Sequence, residues 1–209
     1  MNKLFKNPRN LTFLGVMLAI TIILDSTPLG AVPVGAVSAT ITHIPTILTG
    51  IILGPVAGFI MGTSLGIVSL IHAITRPVTI LDPLFANPLV SVLPRMFIGV
   101  MAYYAYSLVY KVVKKGLFGQ TVGTVIGAVI GSFTNTALVF LMLYIVYAEQ
   151  IVEKVQYAIE QKWLDIAPTF KAFAILTFTT NAVAEAFVAA ILTTAIAVAY
   201  FKYNKTRNV

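Results

Sequence analysis

Charged positions are rare along this chain, and the gaps between them outline its elements. Ser26 to Thr75 contains no Asp, Glu, Lys or Arg, and neither does Leu117 to Ala148. Ala172 to Phe201 contains one, Glu185. A helix needs about 20 apolar residues to cross roughly 30 Å of hydrocarbon. Each gap therefore holds at least one span, and the first holds two. A further apolar run, Leu11 to Leu24, follows Lys3, Lys6 and Arg9. Basic residues ahead of an apolar run, with the small residues Val37-Ser38-Ala39 downstream, have the form of a signal peptide. The remaining chain stays in the membrane, so we read this run as a retained first helix.

The pattern predicts six helices, over about residues 10–25, 39–54, 55–75, 89–113, 117–147 and 168–201. Asp25 and Pro28 close the first, and Gly54-Pro55 separates the second from the third. Two stretches rich in Pro and Gly, Ser26–Val37 and Arg76–Pro88, read as irregular loops. Pro94 is accommodated early in helix four, where amide donors lack helical partners anyway. Glu149–Asp165 is charged, periodic and holds Trp163, which predicts an amphipathic helix at the interface. The expected fold is an all-α, polytopic membrane bundle of six transmembrane helices in one integral membrane domain, residues 1–209.

Composition agrees with this pattern. Of 209 residues, 58% are hydrophobic and 10% charged, too few charges to cover a soluble surface. The 14 Lys and Arg against 7 Asp and Glu are unevenly placed. With six spans both termini share a side, and that side carries Lys3, Lys6, Arg9, Lys111, Lys114, Lys115, Lys202, Lys205 and Arg207 with no acid. The other side mixes Arg76, Lys154, Lys162 and Lys171 with Asp25, Asp82, Glu149, Glu153, Glu160 and Asp165. Basic residues mark cytoplasmic loops, so both termini are expected in the cytoplasm. The net charge of +7 is then a topology signal and not a nucleic-acid footprint. With no Cys, disulfides and thiolate metal sites are excluded. No phosphate loop, nucleophile elbow or zinc-protease motif occurs, so neither an enzymatic activity nor a cofactor is expected.

Candidate chemistry lies inside the helices. Gly54, Gly58, Gly62 and Gly66 form one ladder at intervals of four, and Gly119, Gly123, Gly127 and Gly131 another. Such stripes let a neighbouring backbone approach closely. The second continues at the same interval into Asn135, which then faces the packed interior and needs a partner. Arg95 is expected about two turns into helix four, Glu185 near the middle of helix six, and Asn181 one turn before Glu185 on the same face. Ionisable groups at such depth face a cavity or one another. Arg95 and Glu185 are therefore either an ion pair or part of a ligand site. His43 and His72 are either hydrogen-bonded core residues or ligand contacts, and no acidic or histidine cluster completes a metal site around them. Tyr144, Tyr147 and Trp163 suit an interfacial aromatic belt. Few aromatic rings are expected inside the bundle. Gly15 and Ala19, four apart on helix one, suit either internal packing or docking of another helix.

Several stretches resemble a known family. Thr42-His43-Ile44-Pro45, then Gly54-Pro55 opening a glycine-laddered helix, then Asp82-Pro83-Leu84-Phe85-Ala86-Asn87-Pro88-Leu89-Val90-Ser91-Val92-Leu93-Pro94-Arg95 are similar to the substrate-binding S component of energy-coupling factor (ECF) vitamin transporters. The stretch from Pro83 to Arg95 most resembles the pantothenate branch. The resemblance implies a high-affinity vitamin-binding subunit in the cell membrane, without a motor of its own. A transmembrane T component and two cytoplasmic ATPases would drive it. It adds Asn87 to the candidate ligand contacts Arg95, Asn135, Asn181, Glu185, His72 and His43. It also favours docking for Gly15 and Ala19, where the family carries an Ala-x-x-x-Ala-type motif and Gly replaces one Ala here. Other vitamins or precursors, such as hydroxymethylpyrimidine, riboflavin or folate, stay open. So does a stand-alone proton-coupled secondary transporter using Glu185, although no inverted repeat is apparent.

Overall fold

The computed structural model describes residues 6–27, 30–34, 37–79, 81–113, 116–161, 164–167 and 169–207. Expected features at Lys3, Pro28, Gly35, Lys114, Lys115, Lys162, Trp163 and Pro168 lie outside the described residues. Helix α1 is Pro8–Ser26. Strands β1, Ala31–Val34, and β2, Val37–Thr40, follow. Next come helices α2, Ile44–Leu53, and α3, Pro55–Thr75. A 3-10 turn, Asp82–Ala86, and a short helical turn, Pro88–Ser91, lead into α4, Leu93–Val113. Helix α5 is Gly116–Glu160. The last rod consists of α6, Phe170–Thr177, a π-helical segment, Phe178–Ala182, and α7, Val183–Arg207.

The fold is an all-α membrane bundle of six rods. Among the described residues five are long and apolar enough to cross a membrane, and only α2 is shorter. At ten residues, α2 is about 15 Å long, half the hydrocarbon thickness. Large apolar side chains such as Ile74, Leu108, Ile145 and Phe187 point outward, as a lipid-facing surface requires.

Two sequence-based expectations need correction. Helix two is expected from residue 39, but Ala39 and Thr40 belong to β2, which pairs antiparallel with β1 from Val34↔Val37 to Ala31↔Thr40. The helix begins only at Ile44, with Pro45 in its first turn, where the missing amide donor has no helical partner to lose. Arg95 is in the first turn of α4 rather than the second, since the chain is remade by short turns up to Leu93. The end of helix five at Tyr147 agrees with the expectation: its φ of −137° and ψ of 22° are non-helical, and the amphipathic stretch that follows, as far as Glu160, is a second helical segment beyond that kink.

The glycine ladders explain how the rods meet. Gly54, at φ +97°, lets the chain reverse between α2 and α3, a backbone region closed to most residues. Along α3, a Cβ at Gly58 would meet the Gly99 carbonyl carbon at 2.7 Å, and one at Gly66 would meet Val92 Cα at 2.6 Å. A Cβ at Gly62 would fall on the carbonyl of Arg95. The first ladder is thus the bed on which α4 rests, and it sets the height of Arg95. The second ladder carries α5 against Tyr106, Ala102 and Ile47.

Two apolar cores result. One joins α1, α2, α3, α4 and α7 around Ile47, Leu48, Met61, Ile98 and Ala102. The other gathers Leu81, Leu84, Val90, Leu143, Ile151, Val155 and Phe173. In the second, the extension of α5 folds down on the turns before α4.

Candidate functional site

A cavity of about 430 Å³ opens where the two cores meet, with Leu65 of the first and Leu81, Leu143 and Phe173 of the second in its wall. Its size falls within the roughly 300–1,000 Å³ usual for small-molecule sites. Arg95, Asn135, Asn181, Glu185, His43 and His72 all line it. They come from six different elements or junctions, so the fold itself assembles the polar set.

Arg95 enters from the first turn of α4. Its Nη1 donates to the Val90 carbonyl at 2.6 Å, and the guanidinium lies 5.1 Å from the centre of the Phe85 ring. That geometry suits a cation on an aromatic face. An arginine side chain has five N–H donors, and one bond to Val90 leaves a surplus facing the cavity. Glu185 is only 8% exposed. Its Oε1 accepts the backbone N–H of Thr40 at 2.5 Å. Among the described residues Arg95 and Glu185 do not form an ion pair. The two salt bridges there both involve Asp25.

The neutral polar residues are poorly matched within the protein. His43, 1% exposed, has both ring nitrogens without a partner. So are Asn135 Oδ1 and Asn181 Nδ2, while Asn181 Oδ1 accepts from the Thr180 hydroxyl. Buried polar atoms without partners are costly, and four of them around one cavity make a wall suited to a polar ligand. The π-helical segment brings Asn181 to this wall, and wide turns of this kind recur at functional sites.

At the mouth, Asp25 Oδ2 lies 3.1 Å from His72 Nδ1 and 3.6 Å from Arg76 Nη2. With Nδ1 as donor to the carboxylate, Nε2 of His72 is left for another partner. Asp82, also in the wall, ties the loop together by accepting from the Val78 and Thr79 amides at 2.6 and 2.8 Å.

One expected ligand contact sits elsewhere. Asn87 is not in the cavity wall. Its Oδ1 caps the next turn through the Leu89 amide at 3.0 Å, and its Nδ2 donates to the Tyr147 hydroxyl at 3.2 Å. Gly15 and Ala19 are exposed on α1, and a Cβ at Gly15 would meet nothing within 4 Å. The open side of that helix is therefore free of internal packing at Gly15. The interior is also more aromatic than expected, since Phe85, Phe140 and Phe173 line the cavity. They come from the loop turn, the outer half of α5 and α6, which the helix-by-helix pattern did not bring together. Thr40, Asp25 and Arg76 are, on sequence alone, only a helix start, a helix end and a loop charge, yet all three line the site. The one signal for Asp25 was an acid placed at the end of an apolar run.

Comparison with known proteins agrees with this architecture. Residues 9–197 match the family described as ECF transporter, substrate-specific component. The chain is 26% identical to the pantothenic acid transporter PanT of Lactococcus lactis subsp. cremoris (strain MG1363) over 179 residues, 79% of each chain. It is 31% identical over 119 residues, 56% of each chain, to the pantothenate transporter PanT of Leuconostoc mesenteroides subsp. mesenteroides. A match that spans all six rods and the polar cavity between them makes this chain a member of the substrate-specific components of ECF transporters.

Proposed function

We propose that the chain is the pantothenate-binding component of an ATP-driven importer. Arg95 carries this reading: it is a guanidinium with surplus donors in the wall of the cavity. Its planar fork matches a carboxylate. Around it, Asn135, Asn181 and His43 supply unpartnered amide and imidazole atoms, and His72 is oriented by Asp25. Pantothenate carries a carboxylate, hydroxyls and an amide, so each of these groups has a counterpart. The relatives named for pantothenic acid and pantothenate transport support this vitamin over hydroxymethylpyrimidine, riboflavin or folate. Asn87 supports the site from outside by fixing the turn that leads to Arg95.

The rest of the reading concerns assembly. The exposed pair Gly15 and Ala19 offers a small, open surface for a transmembrane T component, and two cytoplasmic ATPases supply the energy. The protein sits in the plasma membrane with both termini in the cytoplasm, in keeping with the basic ends of the bundle.

Calorimetry with pantothenate and with its neutral amide analogue tests the ligand. Charge-assisted hydrogen bonds are worth roughly 1.5–3 kcal/mol, so Arg95→Ala should weaken binding about ten- to a hundredfold. Arg95→Lys should recover only part, because an ammonium lacks the fork. Equal affinity for acid and amide, or an unchanged Arg95→Ala, would refute the assignment. Concentrative, ATP-independent uptake by the reconstituted lone protein would instead identify a stand-alone carrier.

A further inference from the structure

We infer that Glu185 is a positioning residue, acting on the bound molecule through Thr40 by seating β2 against the cavity. The inference deepens the reading above and rests on it for the identity of the ligand.

The argument starts from the hairpin. Ala31 and Thr40 are opposite each other, and the next bond outward runs from the Ile41 amide to the Gly30 carbonyl at 2.9 Å. In an antiparallel ladder, hydrogen-bonded and non-bonded pairs alternate. The Ala31–Thr40 pair is therefore the non-bonded kind, and the Thr40 N–H points away from β1. It is an edge donor of a two-stranded ribbon that needs a partner elsewhere.

That partner is Glu185, 145 residues away in sequence, through a 2.5 Å bond. The contact is built rather than incidental. The carboxylate is 8% exposed, a depth at which a charge needs a specific acceptor role or a counter-charge. Among the described residues no cation forms a salt bridge with it. Strand β2 also packs on the π-helical segment and on α7, so the same stretch of the last rod meets β2 by contact and by hydrogen bond. Thr40 itself lines the cavity, so the bond fixes one piece of the wall. It also occupies one carboxylate oxygen of Glu185, leaving the surplus donors of Arg95 to a ligand.

The sequence lacks Cys, so a single thiol reports on the hairpin. Ser38→Cys, in the ladder opposite Pro33, is labelled with a maleimide in detergent without added ligand. Glu185→Gln keeps an oxygen acceptor and should label at the rate of the Ser38→Cys parent. Glu185→Ala removes the acceptor and should label about tenfold faster or more, given the strength of hydrogen bonds to charged groups. Thr40→Pro removes the N–H donor together with the hydroxyl, at a ladder position that does not use its N–H, where proline is tolerated. Thr40→Val, which loses the hydroxyl and keeps the N–H, should label at the parental rate. Thr40→Pro should label as fast as Glu185→Ala, and the double variant no faster than either. This non-additivity separates a shared bond from two unrelated losses of packing.

Binding is read in parallel with pantothenate as the probe. Glu185→Gln should stay within about threefold of wild type, while Glu185→Ala and Thr40→Pro should both lose about tenfold or more. Parental labelling rates in Glu185→Ala and Thr40→Pro would overturn the inference. So would a Glu185→Gln as weak in binding as Glu185→Ala with an undisturbed hairpin, which would make Glu185 a direct ligand contact. Absence of pantothenate binding in wild type would count against the proposed ligand alone, because the labelling comparison does not use it.

Discussion

Asn87 reaches across 60 residues of sequence to donate to the Tyr147 hydroxyl at 3.2 Å, at the residue where α5 departs from helical geometry. One side chain thus joins the turn that launches Arg95 to the point where α5 bends over the second core. Asn87 also caps the Leu89 amide, so its loss removes two bonds and Tyr147→Phe only one. Tyr147→Phe is expected to cost about 1 kcal/mol. Asn87→Ala should cost more, by a further 0.5–2 kcal/mol typical of a lost cap. Thermal unfolding of both variants in detergent checks the order, and a Tyr147→Phe protein less stable than Asn87→Ala would contradict it.

The glycine ladders make an asymmetric prediction. Gly62→Ala places a methyl group on the Arg95 carbonyl, whereas Gly15→Ala meets nothing within 4 Å. Overpacking of this kind costs about 1–3 kcal/mol. Gly62→Ala should lower the melting temperature and also weaken pantothenate binding, because the backbone it displaces carries Arg95. Gly15→Ala should change neither. Measuring both quantities on both variants decides whether the ladder places the site or merely packs the bundle.

Bulk on the open side of α1 should act on assembly alone. Gly15→Leu and Ala19→Leu are expected to abolish coupled uptake in cells while leaving the affinity of the isolated protein unchanged, since small residues permit close backbone approach. Normal uptake with both leucines in place would remove this surface from consideration.

Asp25 holds His72 and Arg76 together, and so ties the C-terminal end of α1 to that of α3. Only Leu14, Met17 and Thr21 of α1 are buried, so this tie matters more than its partly exposed ion pair suggests. Asp25→Asn should speed amide exchange in the last turns of α1 more than Arg76→Gln, which leaves the histidine contact in place. Hydrogen exchange read by mass spectrometry distinguishes them, and equal protection in wild type and Asp25→Asn would count against the tie.

The spans were legible because the bilayer imposes one simple demand, long runs without charge, and residues such as Leu117 to Ala148 meet it plainly. The interior direction of Asn135 was legible for a similar reason, since four glycines at fixed spacing define a face. Arg95, Asn181 and Glu185 stood out because charge and amide are expensive inside a membrane. What the sequence did not disclose depends on partners distant in the chain. The edge amide of Thr40 carries no side-chain signal, and its role exists only once β2 lies beside α7. Asn87 looked like a ligand contact from its neighbourhood in sequence, but Tyr147 claims it. The aromatic wall was missed because Phe85, Phe140 and Phe173 lie far apart in the chain, on three separate segments that only the fold brings together.

The π-helical segment Phe178–Ala182 has an evolutionary consequence. A helix advances about 100° per residue, and a wide turn accommodates one residue more than the α-turn it replaces. Loss of a single codon from this stretch would close the turn and rotate the preceding α6 against Glu185 and all that follows. Phe173 and Thr177 would leave the cavity without any of its side chains having been substituted. An in-frame insertion or deletion here is thus a larger change to the chemistry of the wall than most point mutations. Among descendants of one ancestral binding protein, the length of this turn is a place where cargo preference can change in one step.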